Sequence, residues 1–299
     1  MRDKILAIVK NEYGLNIDNF KFVPIGEESY AYKIKSGDEY FFVKYTENTD
    51  AVENLSKSKQ LFQKLSELNF YVGPISVKDE LLFQLDKGIV IVTPFIMGTV
   101  VATPNPEFDQ ELVAWIIDAM VQIHQLDVSE CPLKNESFTN NYKERFDTLL
   151  KLTEDLPSDS RVLGVVNEIK DRIVKKIQIQ DNLSQELINS PKDFVLTHGD
   201  ITGLNIMRSG YSTFLLDWDG VRFAPRERDL VFVEDNKYFK LNEYLNKVGR
   251  TSYNPRITEY YRSAWALDTV IENLEKILDR QIHENDTQEY LNEIIEYSH

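Results

Sequence analysis

The segment Thr197-His198-Gly199-Asp200-Ile201-Thr202-Gly203-Leu204-Asn205, followed by Leu215-Leu216-Asp217-Trp218-Asp219, constrains this chain more than any other stretch. It sets a carboxylate at Asp200, a carboxamide five residues later at Asn205, and a second carboxylate twelve residues beyond that at Asp217. The last lies at the end of an apolar run that reads as a strand. Phosphoryl transfer with a divalent metal uses such a set: one Asp positions the attacking hydroxyl, while an Asn and an Asp hold Mg²⁺ on the nucleotide phosphates. That chemistry is mostly positioning and charge neutralisation, so few residues are needed. His-Gly-Asp by itself reads equally well as a turn capped by Asp200. The specificity lies in the whole pattern, loop then strand then Asp-Trp-Asp.

A chain of 299 residues suggests one large domain or two lobes. With 42% hydrophobic and 28% charged residues, a folded chain is expected rather than a disordered one. Lys and Arg total 34 against 49 Asp and Glu, a net charge of −15. This balance argues against nucleic acid or an anionic membrane as the main partner. It favours a cationic small-molecule substrate if the charge lines a cleft, and it serves solubility in any case. The single cysteine, Cys131, permits no intrachain disulfide and fits a reducing compartment. Met1 to Lys10 alternates charge with apolar residues and is not a signal peptide. No run approaches the ~18 apolar residues of a membrane span. A cytoplasmic monomer or homodimer is expected.

Ile5, Leu6, Ile8 and Val9 mark a short amphipathic helix over Asp3 to Glu12, closed by Gly14. Phe20 to Ile25, Tyr30 to Ile34 and Tyr40 to Tyr45 read as strands separated by turns at Gly26-Glu27-Glu28-Ser29 and Ser36-Gly37-Asp38. The third carries Lys44. Asp50 to Leu68 reads as a helix with an apolar side, and Leu81 to Leu85 with Ile89 to Thr93 as a hairpin stopped by Pro94. The lobe boundary is placed near residue 96. Beyond it, Leu112, Trp115, Ile116, Ala119, Met120 and Ile123 form an apolar helical stripe. Helices follow over 140–153, 162–183, 256–280 and 288–297, with short strands at 194–196 and 214–216. The expected architecture is α+β. A β-rich lobe of residues 1–96 precedes a larger helical lobe, 97–299, that carries the catalytic loops, and a nucleotide occupies the crevice between them.

In these features the chain resembles the aminoglycoside phosphotransferase family, which has a protein-kinase-like fold. The resemblance covers most of the chain. It runs through the turn Gly26-Glu27-Glu28-Ser29-Tyr30-Ala31, the strand lysine Lys44, the helix end Gln122-Ile123-His124-Gln125-Leu126, the loop 198–205 and Asp217-Trp218. Within the family, Asp217-Trp218-Asp219-Gly220 with Ala224-Pro225-Arg226-Glu227-Arg228-Asp229-Leu230 is most similar to the spectinomycin phosphotransferase branch.

The resemblance implies that Asp200 is the catalytic carboxylate, orienting or accepting the proton of the substrate hydroxyl. Asn205 and Asp217 are the implied ligands of Mg²⁺, an ion suited to oxygen donors. Asp219 stands either behind them or as a turn residue before Gly220. Lys44 is implied to bind the α/β-phosphates of ATP or GTP. Its partner is sought on the next helix, with Glu53 as the candidate; Glu67 lies near the helix end, and Gln60 sits where some relatives place the Glu. Gly26 to Ser29 would cover the phosphates through backbone N–H groups and the Ser29 hydroxyl, with one glycine where protein kinases have three. Thr93 to Ile96 would form the hinge, where the Thr93 and Phe95 segment reads and sandwiches the purine ring. His124 and His198 read as scaffold residues rather than bases. Arg228 and Asp229 read either as an ion pair holding the Asp217 loop or as a solvated charge cluster. Asp235, Glu234, Asp268 and Glu272, with Trp265 and Tyr261 as stacking surfaces, are candidates for holding a cationic acceptor.

The expected function is a small-molecule kinase that phosphorylates a hydroxyl of an aminoglycoside or aminocyclitol. The alternatives are a metabolite kinase of the same fold, acting on choline, homoserine or a sugar-type alcohol, and a nucleotide-binding module without catalysis. A protein kinase is disfavoured, because no Arg precedes Asp200 and no Asp-Phe-Gly occurs.

Overall fold

The computed structural model describes residues 1–23, 29–47, 52, 59–103, 105–190, 193–279 and 287–299. They divide into two compact units, one from Met1–Glu136 and Asp193–Ser252, the other from Ser137–Lys192 and Tyr253–His299.

The first unit begins with helix α1 (Arg2–Asn11), strands β1 (Asn19–Val23), β2 (Ser29–Ser36) and β3 (Glu39–Thr46), and helix α2 (Lys59–Leu65). Strands β4 (Leu82–Leu85) and β5 (Gly88–Pro94) complete an antiparallel sheet in the order β1-β2-β3-β5-β4. Side chains alternate across a strand, and β3 uses this. Phe41, Val43 and Tyr45 join Ile5, Val9, Tyr13, Val90 and Val92 in one core. Lys44 points to the opposite face, across from Ala31 on one side and Ile91 on the other. On that face Ile89 and Ile91 pack with Phe62 of α2. The fold thus buries one side of β3 and leaves its lysine on the other.

Strand β6 (Thr99–Val100) leads to helix α3 (Gln110–Gln125). Asp109 caps α3 by accepting Leu112 N–H at 2.8 Å. Leu112, Val113, Ile116, Ile117, Ala119, Met120 and Ile123 of α3 are all buried. The large ones contribute about 1.5–3 kcal/mol each. Strand β7 (Phe194–Thr197) pairs antiparallel with β10 (Arg222–Pro225), and between them lies the hairpin of β8 (Ile206–Ser209) and β9 (Ser212–Leu215), edged by β6. Short helices α6 (Glu227–Leu230) and α7 (Leu241–Lys247) follow. The sequence predicts the strand before Asp217 but not its partner β8. Gly210, at φ +58, with Tyr211 makes the turn that joins them. Strand β10 is also unexpected from a segment holding Arg222 and Pro225. In a two-stranded ribbon a proline is tolerated because the missing N–H can face away from the partner.

The second unit is helical: α4 (Tyr142–Thr153), α5 (Arg161–Ile188), α8 (Pro255–Leu278) and α9 (Thr287–Tyr297). Pro255 opens α8 behind Asn254, whose side chain accepts Arg256 N–H at 3.0 Å. Phe146, Ile169, Ile173, Ile177, Leu267, Val270, Ile271 and Ile294 form one core. α5 runs past the predicted end at Leu183, because Ser184 and Leu187 remain on its buried face. Arg145 of α4 forks onto Glu275 of α8 through Nε at 2.9 Å and Nη2 at 2.7 Å. None of the described helices is long and apolar enough to cross a membrane.

Ile173 is fully buried in this helical core. Ile173→Ala should lower unfolding stability by about 2–5 kcal/mol in urea titrations.

Candidate active site

The loop that carries Asp200 is held by a buried carboxylate. Asp229, on α6, accepts His198 N–H at 3.0 Å and Gly199 N–H at 2.6 Å. Its Oδ2 also meets His124 Nε2 from α3 at 2.9 Å, and His124 Nδ1 meets Tyr244 OH from α7 at 2.6 Å. Burial would push the Asp229 carboxyl up, but the hydrogen bond and charge of His124, with Arg228 and His198 nearby, hold it below the ordinary aspartate range. Arg228 binds the same region by separate contacts, donating to Thr197 Oγ1 and to Gly220 O, each at 2.9 Å. Gly199 has φ +87, and a Cβ there would overlap the Arg228 guanidinium. Only glycine serves at this position.

His198 is fully buried, and burial pulls its pKa down. Its Nδ1 accepts Asp200 N–H at 3.2 Å, so Nε2 carries the proton and donates to Leu216 O at 3.0 Å. The neutral imidazole is therefore a rivet between the Asp200 loop and the strand that ends before Asp217. Leu216 N–H donates to Asn205 O at 2.7 Å and fixes the same register.

Asn205 donates through Nδ2 to Asp200 O at 3.0 Å and to Asp200 Oδ2 at 2.6 Å. Both amide hydrogens are thereby used, and Oδ1 is left as the acceptor. Burial pushes the Asp200 carboxyl up from its ordinary value, against the opposing pull of His198 and Asn205. Asp217 sits in the left-handed region at φ 60, ψ 71. That is a strained conformation for a residue with a Cβ, costing of order 1–3 kcal/mol. It is held from both sides. Trp218, buried, donates Nε1–H to Leu215 O at 2.9 Å and packs against Phe70, Tyr71 and His198. Lys44 Nζ lies 2.8 Å from Asp217 Oδ1 and 2.8 Å from Asp219 Oδ2. Burial would lower the Lys44 pKa, but Asp219 and Asp217 outweigh it and raise it. Asp217 is lowered: burial acts upward, and the charge and hydrogen bond of Lys44, with His198 and the Asp219 N–H, together outweigh it.

Asp200, Asn205, Asp217 and Lys44 thus converge, joined by Asp219, which the sequence places either behind the metal ligands or in the turn before Gly220. The donor set suits Mg²⁺. One carboxylate at Asp217 and the Oδ1 of Asn205 are hard oxygens, and that ion takes its remaining ligands from phosphates and water. Among the described residues no group of three or more His, Cys, Asp or Glu forms a self-sufficient metal cage. Gly26, Glu27, Glu28 and Glu53 lie outside the described residues, and Ser29 is described only as backbone, paired with Thr46 at the start of β2. Thr93 is on β5 opposite Phe42. Phe95 gives its N–H to Tyr40 O at 2.9 Å, and its ring lies 4.0 Å from Lys33 Nζ. Of the proposed acceptor-binding residues, Tyr261 is buried against Phe138 and Tyr260, and Trp265 is half exposed beside Tyr297.

The fold that carries these residues is kinase-like, and solved structures share that fold. A spectinomycin phosphotransferase in complex with ADP and spectinomycin superposes with TM-score 0.74 at 21% identity, covering 98% of this chain and 93% of that one. The GDP complex of aminoglycoside 2′-phosphotransferase-IIIa gives TM-score 0.58 at 13% identity, covering 98% and 97%. A Plasmodium vivax ethanolamine kinase gives 0.58 at 14%, covering 94% and 82%. No curated protein matches the chain. Residues 19–269 match the phosphotransferase enzyme family, and the chain belongs to that family.

Two outcomes test the anchoring of the loop. Gly199→Ala should lose at least about 2 kcal/mol of stability, since a strained φ is added to a clash with Arg228, and calorimetric melting reads this. Asp229 has a depressed pKa in the folded protein, so its contribution is present above the unfolded value of about 3.9 and is lost as pH falls through the lower folded value. Asp229→Asn should therefore be less stable than the parent near neutral pH, with the gap closing as pH falls below about 4.

Proposed function

We propose that this protein is a small-molecule kinase that transfers the γ-phosphoryl group of a Mg-nucleotide, ATP or GTP, to a hydroxyl of a cationic aminoglycoside or aminocyclitol. The observation that carries this reading is the convergence of two bonded pairs, Asn205 on Asp200 at 2.6 and 3.0 Å and Lys44 on Asp217 at 2.8 Å, with His198 bridging the two segments. A nucleotide-binding module would have no use for the Asp200 carboxylate beside that set. Asp200 orients the acceptor hydroxyl and takes its proton as the hydroxyl oxygen bonds to the γ-phosphorus and the bond to the β-phosphate oxygen breaks. Lys44 holds the non-transferred phosphates, and Asn205 and Asp217 hold the ion. When bound, Mg²⁺ neutralises charge on the phosphates. Residues 1–96 serve the nucleotide and 97–299 the catalysis and acceptor in this reading. The net charge of −15 supports a cationic acceptor. A cytoplasmic site fits the lone, buried Cys131.

A second reading, a kinase for an amino alcohol such as ethanolamine or choline, is favoured by the fold likeness to the ethanolamine kinase. Both acceptor classes offer a hydroxyl near a cationic nitrogen, so the catalytic set fits either. Nucleotide consumption with Mg²⁺, measured against spectinomycin, several aminoglycosides, choline, ethanolamine and homoserine, separates them. Turnover with an aminocyclitol or aminoglycoside is expected; turnover only with an amino alcohol selects the second reading. Asp200→Asn should reduce kcat by about 10²–10⁴-fold while nucleotide binding stays near that of the parent. Turnover retained in that variant removes Asp200 from the catalytic role.

A further inference from the structure

We propose that Asp219 is the positioning residue of Lys44, keeping the ammonium in place once Asp217 is given over to the metal. The proposal rests on the nucleotide-site reading above. Lys44 Nζ is shared equally between Asp217 Oδ1 and Asp219 Oδ2, at 2.8 Å each. A carboxylate that coordinates Mg²⁺ cannot keep the same hold on an ammonium, because the divalent charge repels it and occupies the oxygen lone pairs. Among the described residues, Asp219 then remains bonded to the ammonium, at 2.8 Å.

The local structure suits Asp219 to that role. It lies in the single helical turn Trp218–Gly220, directly after the strained Asp217. Both of its neighbours are fixed. The Trp218 indole is buried and bonded to Leu215 O, and Gly220 O accepts Arg228 Nη2 at 2.9 Å, the same guanidinium that reaches Thr197 on β7. The Asp219 side chain is 21% exposed against 40% for Asp217. The more enclosed carboxylate is less screened by water and holds its partner more firmly. Lys44 enters from the central strand of a five-stranded sheet, so both ends of the Lys44–Asp219 pair start from rigid backbone. A lysine side chain has four flexible bonds, and without a fixed carboxylate its ammonium would lose its aim at a phosphate.

Calorimetric titration of ADP into the parent, Lys44→Ala, Asp219→Ala and the double variant, with Mg²⁺ and separately with EDTA, tests this. With Mg²⁺, Lys44→Ala and Asp219→Ala should each bind ADP roughly tenfold more weakly, and the double variant no more weakly than Lys44→Ala. With EDTA, where Asp217 still holds the lysine, Asp219→Ala should stay within about twofold of the parent. Asp219→Asn, which keeps the shape without the charge, should behave as Asp219→Ala and controls for misfolding. Parent-like binding by Asp219→Ala with Mg²⁺ overturns the proposal. Additive losses in the double variant also overturn it and assign Asp219 to the metal or the turn. An equal loss in EDTA overturns the hand-over. Parent-like binding by Lys44→Ala overturns the nucleotide-site reading itself, and Asp219's role with it.

Discussion

The buried carboxylate of Asp229 is the contact on which the site depends. An isolated charge in a dry interior costs several kcal/mol, so its oxygens must be supplied with donors. Here the donors are the backbone N–H groups of His198 and Gly199 and the ring of His124. Satisfying one side chain therefore fixes α3, α6 and the turn before Asp200 at once, with α7 joined through Tyr244. Were the loop to relax away from Asp229, that charge would lose its two main-chain donors. Asp200 gains its position from this constraint together with its own bonds to Asn205 and His198.

A second constraint sets the far side of the site. Two acidic residues flank Trp218, and a lysine from another sheet lies between them. The left-handed backbone at Asp217 turns its carboxylate out of the strand direction, and the packed indole of Trp218 prevents the turn from relaxing. His198 joins the two halves by bonding to Asp200 N–H and Leu216 O. Its burial keeps it neutral, so it acts as a rigid spacer with one donor and one acceptor.

The chain's motif segments were legible because their chemistry is local. Asp200 and Asn205 are five residues apart in one loop, and an apolar strand delivers Asp217. The order of small sheet and helices followed from periodicity, and the strand position of Lys44 from its apolar neighbours. What could not be read was distant pairing. Asp219 meets Lys44 across more than 170 residues, and nothing in Asp-Trp-Asp distinguishes a lysine partner from a turn. Asp229 stood beside Arg228 and suggested an ion pair, whereas its hydrogen bonds go to His124, over a hundred residues upstream, and to main-chain groups about thirty residues upstream. Tyr244 carried no signal at all, since its role arises only when α7 meets α3. Strands β8 and β10 were hidden by their shortness and their charged or proline residues. Gly210 was the one cue for the first of them.

The helical unit is assembled from two stretches separated by Asp193–Ser252, which belong to the other unit. During synthesis α4 and α5 leave the ribosome long before α8 and α9 exist. Until then the apolar stripe of α5, with Ile169, Ile173 and Ile177, has only α4 to cover it. Chains of this kind depend on late, long-range contacts, and their half-made forms present apolar surface to the cell. In sequence, the catalytic strands fall between the two stretches that make up that helical unit. The nascent chain must therefore complete the chemistry-bearing segment while the helices on either side of it are still waiting for each other.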